Sequence, residues 1–242
     1  MTPLLDALDL ETIPLFRGLT PTEQRHLHDL LGVSTFPAGA HILTAEQPGD
    51  VVYIVLDGTV KVQVDGPEGT AVILAILCAG DVAGEMSLVD RLGRSATVVA
   101  MEQSTLAWLT NTDFWTCLRS MPTMTFNLAG ILSRRLRLSN SHVVDLATLD
   151  IEGRIADQLL ALSDEYGEAT PDGSCRIPFR LTQGDLAALV GASRVRVNQI
   201  LVSWTHKEFL TVDRRHVVTL LNRRALAEMV PGLRAEPPWR EV

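Results

Sequence analysis

The stretch Gly84–Val98, GEMSLVDRLGRSATV, places a carboxylate, a guanidinium and a hydroxyl (Glu85, Arg94 and Ser95) between two apolar runs. Upstream lies AVILAIL (71–77) and downstream ATVVA (96–100), both strand-like. On these residues alone, the simplest reading is a Glu85–Arg94 ion pair that ties a loop to a barrel.

The surroundings support the barrel. From Gly32 to Leu109 the chain runs in short stretches of Val, Ile, Leu and Thr, among them VVYIVL (51–56), TVKVQV (59–64), TAVILAIL (70–77), SATVVAM (95–101) and STLAWL (104–109). Turn signals separate them at Pro37-Ala38-Gly39, Pro48-Gly49-Asp50, Asp57-Gly58, Gly66-Pro67-Glu68-Gly69 and Gly80-Asp81. Strands at this spacing predict an antiparallel barrel or sandwich. Residues 4–31 read as short helical pieces, with Thr20-Pro21 a helix start. Thr112-Asp113 predicts a further helix that Pro122 interrupts.

No proline occurs from Met124 to Leu149, and a heptad register puts Ala129, Leu132, Leu136, Ser139, Val143 and Leu146 on one seam. A long helix with a narrow apolar stripe cannot bury that stripe alone. Pairing with the same helix of a second copy predicts a parallel two-fold dimer, and packing on the chain's own barrel is the alternative. Asp150 then caps a new helix, IEGRIADQLLALSDEYG. Pro171-Asp172-Gly173 is a turn and CRIPFRL (175–181) a short strand. In LTQGDLAALVGASRVRVNQILVSW, Thr182 and Ser193 cap two helices joined at Gly191, with Leu186, Ala187, Val190, Val197, Ile200 and Leu201 inward. FLTV, a turn at Asp213-Arg214-Arg215, and HVVTLL form a hairpin, the wing of a winged helix-turn-helix. Two glycine-joined amphipathic helices also occur in proteins that never meet DNA.

The bulk numbers fit two modest domains. The chain has 242 residues, 46% hydrophobic and 21% charged, with no apolar run of membrane-spanning length and no signal-peptide pattern at its start. Three scattered cysteines, Cys78, Cys117 and Cys175, form no disulfide framework or metal motif, so a cytoplasmic location with reduced thiols is expected. A net charge of −8 argues at first against nucleic acid, but the distribution is uneven. Residues 1–110 carry 5 basic and 14 acidic side chains, whereas residues 176–242 carry 11 and 6. The acidic front and basic back suggest different partners.

Four ordered blocks resemble one family across nearly the whole chain: GDVAGEMSL…RSATV (80–98), SRRL (133–136), LDIEGRIADQLL (149–160) and LTQGDLAALVGASR (181–194). The chain is similar to the cyclic-AMP receptor protein and fumarate–nitrate reductase regulator superfamily of bacterial transcription factors. The resemblance implies an α+β protein: N-terminal helices and a jelly-roll-like antiparallel β-roll (1–122), a dimerisation helix (123–149), a winged helix-turn-helix (150–222) and a C-terminal tail (223–242). It implies a cyclic-nucleotide-responsive regulator with double-stranded DNA, a second copy of itself and RNA polymerase as partners. It implies neither a membrane association, nor an enzyme activity, nor a metal.

In that family, Gly84–Val98 is the phosphate-binding cassette. A cyclic phosphodiester carries one negative charge and needs a forked cation with further donors; Arg94, Ser95 and the short helix opening at Gly84, Glu85, Met86 and Ser87 supply them. Glu85 suits the ribose 2′-hydroxyl and offsets Arg94 in the empty state. By resemblance, Ser139 and Asn140 read the adenine of cyclic AMP across the dimer. Asn140 departs from the small hydroxyl residue usual there, which bears on adenine against guanine. Leu132, Leu136, Ser139, Val143 and Leu146 make the dimer seam.

For DNA, Arg194 suits guanine O6/N7, Gln199 an adenine, and Thr182, Ser193 and Arg196 the phosphates. Val195 stands where the cyclic-AMP receptor carries a glutamate and Gln199 where it carries an arginine. Valine offers no acceptor, so Val195 can only fill space or touch a thymine methyl. His41 lacks an H-x-H partner, which disfavours a metal-dependent enzyme on the roll, and no clustered N-terminal cysteines suit an iron–sulfur sensor. A haem gas sensor, or a ligand-independent architectural DNA binder, is the alternative reading.

Overall fold

The computed structural model describes residues 9–66, 70–90 and 92–230. The start of the first helical stretch, Pro67-Glu68-Gly69 of one predicted turn, Arg91 of the cassette and most of the expected tail lie outside the described residues. The chain divides into two compact units, Met1–Ser139 and Asn140–Val242.

In the first unit, a 3-10 turn (Leu10–Thr12) precedes α1 (Pro21–Leu30), which opens on a capping box between Thr20 and Glu23. Eight strands follow: β1 (Gly32–Phe36), β2 (His41–Leu43), β3 (Val51–Asp57), β4 (Val60–Asp65), β5 (Ala71–Leu77), β6 (Val82–Ala83), β7 (Thr97–Ala100) and β8 (Ser104–Thr110). They form two antiparallel four-stranded sheets, ordered β1-β8-β3-β6 and β2-β7-β4-β5. Leu43, Val55, Val60, Leu77, Ala83, Val98 and Leu106 fill the space enclosed by the roll. A short helix, α2 (Glu85–Val89), interrupts the strands between β6 and β7.

The helix after the roll, α3 (Asn111–Ser120), is capped by Thr110, the last residue of β8 and two residues before the Thr112 start that the sequence suggests. Pro122 then occupies the first turn of α4 (Pro122–Thr148), where a missing N–H costs nothing. A second core joins Phe16, Leu27, Val52, Ile54, Leu109, Phe114 and Met121 to Met124 and Leu128 of α4. The Asn127 amide donates to the carbonyls of Leu15 and Arg17 and fixes the start of this helix.

Farther along α4 the apolar stripe is open. Leu136, Val143 and Leu146 are 62%, 66% and 57% exposed. Phe126, Leu138 and Val144, off the heptad seam, are also exposed. Leu132 differs from its seam neighbours: it is partly buried against the chain's own core. The two alternatives for the stripe therefore apply to different turns of one helix. The first turns pack on the roll, and the later ones lack cover within the described chain.

The second unit holds α5 (Ile151–Tyr166), α6 (Gln183–Val190), α7 (Arg194–His206), α8 (Arg223–Ala227) and a sheet ordered β11-β12-β10-β9. Its strands are β9 (Glu168–Ala169), β10 (Cys175–Arg176), β11 (Leu210–Val212) and β12 (Val218–Leu220). Asp150 caps α5 by accepting from Gly153 N–H at 2.8 Å. The predicted strand CRIPFRL is realised as a two-residue ladder. Pro178 has no N–H to continue it, although the amides of Ile177 and Leu181 still reach the carbonyls of Val218 and His216.

The last turns of α4 and the middle of α5 bring two carboxyls together. Burial, and then a hydrogen bond and the charge of Asp145, with Asp164 beyond, push the Asp157 carboxyl up to about 7. The folded unit thus keeps a proton that the unfolded chain releases above about pH 4. That contribution to stability is fully present below about pH 4 and is lost as pH rises toward about 7. Asp157→Asn cannot ionise and is expected to flatten this part of the stability–pH profile. Thermal unfolding of parent and variant between about pH 4.5 and 7.5 measures it; identical slopes would contradict the assignment.

Candidate functional site

Two features place the cassette's polar groups in one cleft. Gly84 joins β6 to α2 with φ of +87°, a left-handed conformation that favours glycine. A Cβ there would also lie 2.5 Å from Arg94 Nη1 and 2.8 Å from Leu43 Cδ1. On the other arm, Arg94 is fixed by its backbone: its N–H donates to Gln47 O at 3.0 Å and its carbonyl accepts from Glu46 N at 2.9 Å. The segment leading into β7 therefore brings the guanidinium against the Gly84 turn.

The result is an open cleft of about 400 Å³. Gly84, Glu85, Met86, Ser87, Arg94 and Ser95 line it, with Leu43, Val62, Leu77 and Val98 forming its apolar walls. Glu85 and Arg94 are buried, at 1% and 6% exposure, whereas Met86 and Ser95 are exposed. Buried charges in an apolar-walled cleft need partners. Arg94 Nη1 donates to Gly84 O at 2.7 Å and to Ser87 Oγ at 2.8 Å, and Nη2 donates to Val51 O at 2.6 Å. Burial holds its pKa below the ordinary arginine value, and the charges of Asp50, Tyr53 and Glu85 pull it back up.

Glu85 is not paired as the sequence suggests. Its direct ion pair is with Arg135 of α4, at 2.5 Å, and Arg135 also donates to Val82 O. Arg94 contributes only a longer-range charge to Glu85. The sequence reading passed over Arg135. It stands inside the SRRL block, one residue before a seam leucine, and an arginine beside an apolar seam was the signal that could have found it. The correction leaves the electrostatic logic intact, since each buried charge has a partner, but two arginines share the work.

Ser139 is exposed on α4 and is not among the cleft residues. Asn140, the first residue of the second unit, is exposed as well.

In the second unit, α6 and α7 meet at Gly191, which adopts φ of +63°. Thr182 and Ser193 are N-caps, as their positions suggest. The Thr182 hydroxyl donates to Asp185 Oδ2 at 2.5 Å and accepts from Asp185 N–H at 3.1 Å, so its only proton is already committed. Leu186, Ala187, Val190, Val197, Ile200, Leu201 and Trp204 are buried. Arg194, Val195, Arg196 and Gln199 all stand exposed on the opposite side of α7, with Arg196 3.4 Å from Glu152. Asp213 accepts from the amides of Arg215 and Val217, which hold its pKa down and fix the β11–β12 turn with Arg214 and Arg215 exposed. Among the described residues no group of three or more His, Cys, Asp and Glu is placed to hold a metal, and no helix is long and apolar enough to cross a membrane.

Roll, cleft and winged helix-turn-helix together define a nucleotide-binding domain joined to a DNA-binding domain. The cyclic nucleotide-binding domain model matches residues 33–121, and the Crp-like helix-turn-helix domain model matches residues 153–229. The CRP-like cAMP-activated global transcriptional regulator of Mycobacterium tuberculosis is 30% identical over 204 residues, covering 84% of this chain and 91% of that protein. The cyclic AMP receptor protein of Thermus thermophilus is 33% identical over 192 residues, covering 78% and 83%. FixK2 from Bradyrhizobium japonicum shares the fold, with a TM-score of 0.73 at 18% identity over 86% of this chain and 99% of that one. The chain belongs to the CRP/FNR superfamily of transcriptional regulators.

Proposed function

We propose that this regulator responds to cyclic AMP and acts as a homodimer on palindromic operators. The observation that carries the reading is the pair of buried groups in one cleft: Arg94, a forked cation, and Glu85, an acceptor held by Arg135. Arg94 and Ser95 take the cyclic phosphate, and Glu85 accepts from the ribose 2′-hydroxyl. Ser139 and Asn140 of the partner subunit's helix close on the adenine. Two curated relatives that are 30% and 33% identical carry cyclic AMP in their names. The exposed stripe of α4 supports dimerisation, because contiguous apolar surface of this kind on a helix asks for a partner.

The dimer presents two copies of α7 to the major groove, with half-sites about one helical turn apart. Arg194 reads guanine, Gln199 an adenine, and Arg196, Ser193 and the wing arginines meet phosphates. Contact with RNA polymerase, a cytoplasmic location, and the absence of a metal and of an enzyme activity complete the reading. Domain limits of 1–122, 123–149, 150–222 and 223–242 go with it.

Isothermal titration with cyclic AMP and cyclic GMP tests the ligand. Heat with cyclic AMP, and weaker or no binding of cyclic GMP, is expected. No heat with either would contradict it in favour of a ligand-independent DNA binder. The base pair facing Val195 is expected to be tolerant or to favour thymine, and Val195→Glu to sharpen the preference for C·G there by about 1–3 kcal/mol. Selection on randomised half-sites measures both; a parent that already demands C·G at that pair would displace the proposed seating of α7.

A further inference from the structure

Ser87 lines the cleft, but its hydroxyl is already engaged within the protein. The residue is 5% exposed, and its single hydroxyl proton goes to Gly84 O at 3.2 Å. Its oxygen in turn accepts from Arg94 Nη1 at 2.8 Å. Because Nη1 also donates to Gly84 O, the carbonyl, the hydroxyl and the guanidinium form a closed triangle. Nη2 spends one hydrogen on Val51 O. Of the five guanidinium N–H groups, three are therefore committed within the protein. The two left for an incoming anion are Nε–H and one Nη2–H, a pair able to engage two oxygens of one phosphate.

The β2–β3 loop closes this arrangement from the far side. A Cβ at Gly49 would stand 2.5 Å from Ser87 Oγ and 2.9 Å from Ser87 Cβ, so only glycine lets the loop lie against the hydroxyl. Two residues on, the first residue of β3 supplies the Val51 carbonyl that takes Nη2. The loop and the start of β3 thus cover Ser87 and anchor Arg94 together.

We infer that Ser87 is a positioning residue: it sets the rotation of the Arg94 guanidinium before ligand arrives, so that the Nε/Nη2 pair faces the anion. Its hydroxyl acts on the ligand only through Arg94. This rests on the cleft being the cyclic-phosphate site and specifies how that site is prepared. The benefit is pre-organisation, since an arginine already held in its binding geometry loses less freedom when the phosphate docks.

The test uses the full-length protein and four forms: parent, Ser87→Ala, Arg94→Ala and the double variant. Affinities are measured by titration calorimetry for cyclic AMP and for adenosine, which has the same base and ribose but no phosphate. Ser87→Ala is expected to weaken cyclic AMP about tenfold and to leave adenosine unchanged. In the Arg94→Ala background, it is expected to add nothing further. An equal loss for both ligands, or the same tenfold loss without Arg94, would overturn the positioning role.

A ligand-free readout separates this inference from the ligand assignment. In the parent, the Arg94 guanidinium nitrogens, identified by their loss in Arg94→Ala, are expected to give resolved, slowly rotating N–H signals in ¹⁵N NMR spectra. Ser87→Ala is expected to average the Nη1 signals. If the parent binds no cyclic nucleotide but these signals collapse in Ser87→Ala, the ligand reading fails and the positioning role stands. If the signals are identical in parent and variant, the positioning role fails whatever binds.

Discussion

Leu136→Glu is expected to leave a folded protein that sediments as a monomer and loses most of its affinity for a palindromic site. Leu136 is 62% exposed in the single chain, so a glutamate there meets water and costs the isolated fold little. In a dimer packed along α4, the same carboxylate would be desolvated opposite its own copy, where like charges repel. Separating the two DNA-binding units removes the second, effectively intramolecular contact, a loss of about 10²- to 10⁴-fold. Leu132 is the weaker choice for this experiment. It is partly buried in the core of its own unit, and a charge there would damage the fold as well as the interface. Analytical ultracentrifugation with operator titration reads both effects, and an unaltered dimer would reject the seam.

Arg94→Ala should weaken cyclic-nucleotide binding about tenfold or more, the scale of losing a hydrogen-bonded charge partner. The truncation also leaves the Ser87 hydroxyl and the Val51 and Gly84 carbonyls without the guanidinium that joins them. Part of the loss will therefore come from a loosened cleft. Arg94→Lys separates the contributions: it keeps the charge but cannot span three acceptors and still present a fork. An affinity between those of parent and alanine variant is expected. Binding to Arg94→Ala as tight as to the parent would move the site elsewhere.

Much of this architecture was legible because strands and helices write different periods. β3, β4, β5, β7 and β8 fall on the apolar runs that mark them, and the turn glycines separate them. β1, β2 and β6 were hidden for physical reasons. GVSTF mixes polar and apolar residues without alternation, and HIL and VA are too short to show a period, so their pairing depends on neighbours distant in sequence. The helix-turn-helix was readable from its caps, since Thr182, Gly191 and Ser193 each do one local task.

Within the cleft, residue types were legible and pairings were not. Glu85 and Arg94 are close in sequence, which made their mutual ion pair the natural expectation. The partner that Glu85 takes is 50 residues away on another element. Likewise, the heptad on α4 shows an apolar stripe but not which surface covers each turn. Only the packing of Met124 and Leu128 into the core, against the exposure of Leu136, Val143 and Leu146, divides it.

The central claim is that nucleotide in the roll changes the affinity of the helix-turn-helix for DNA. Couplings of this kind change affinity by about 5- to 150-fold and act equally in both directions. The most direct test is the affinity of the parent for a selected palindromic site with and without saturating cyclic AMP, at one fixed salt concentration. Tighter DNA binding with the nucleotide, matched by an equal tightening of nucleotide binding in the presence of DNA, is the expected result. Equal DNA affinity in the two conditions would contradict the claim.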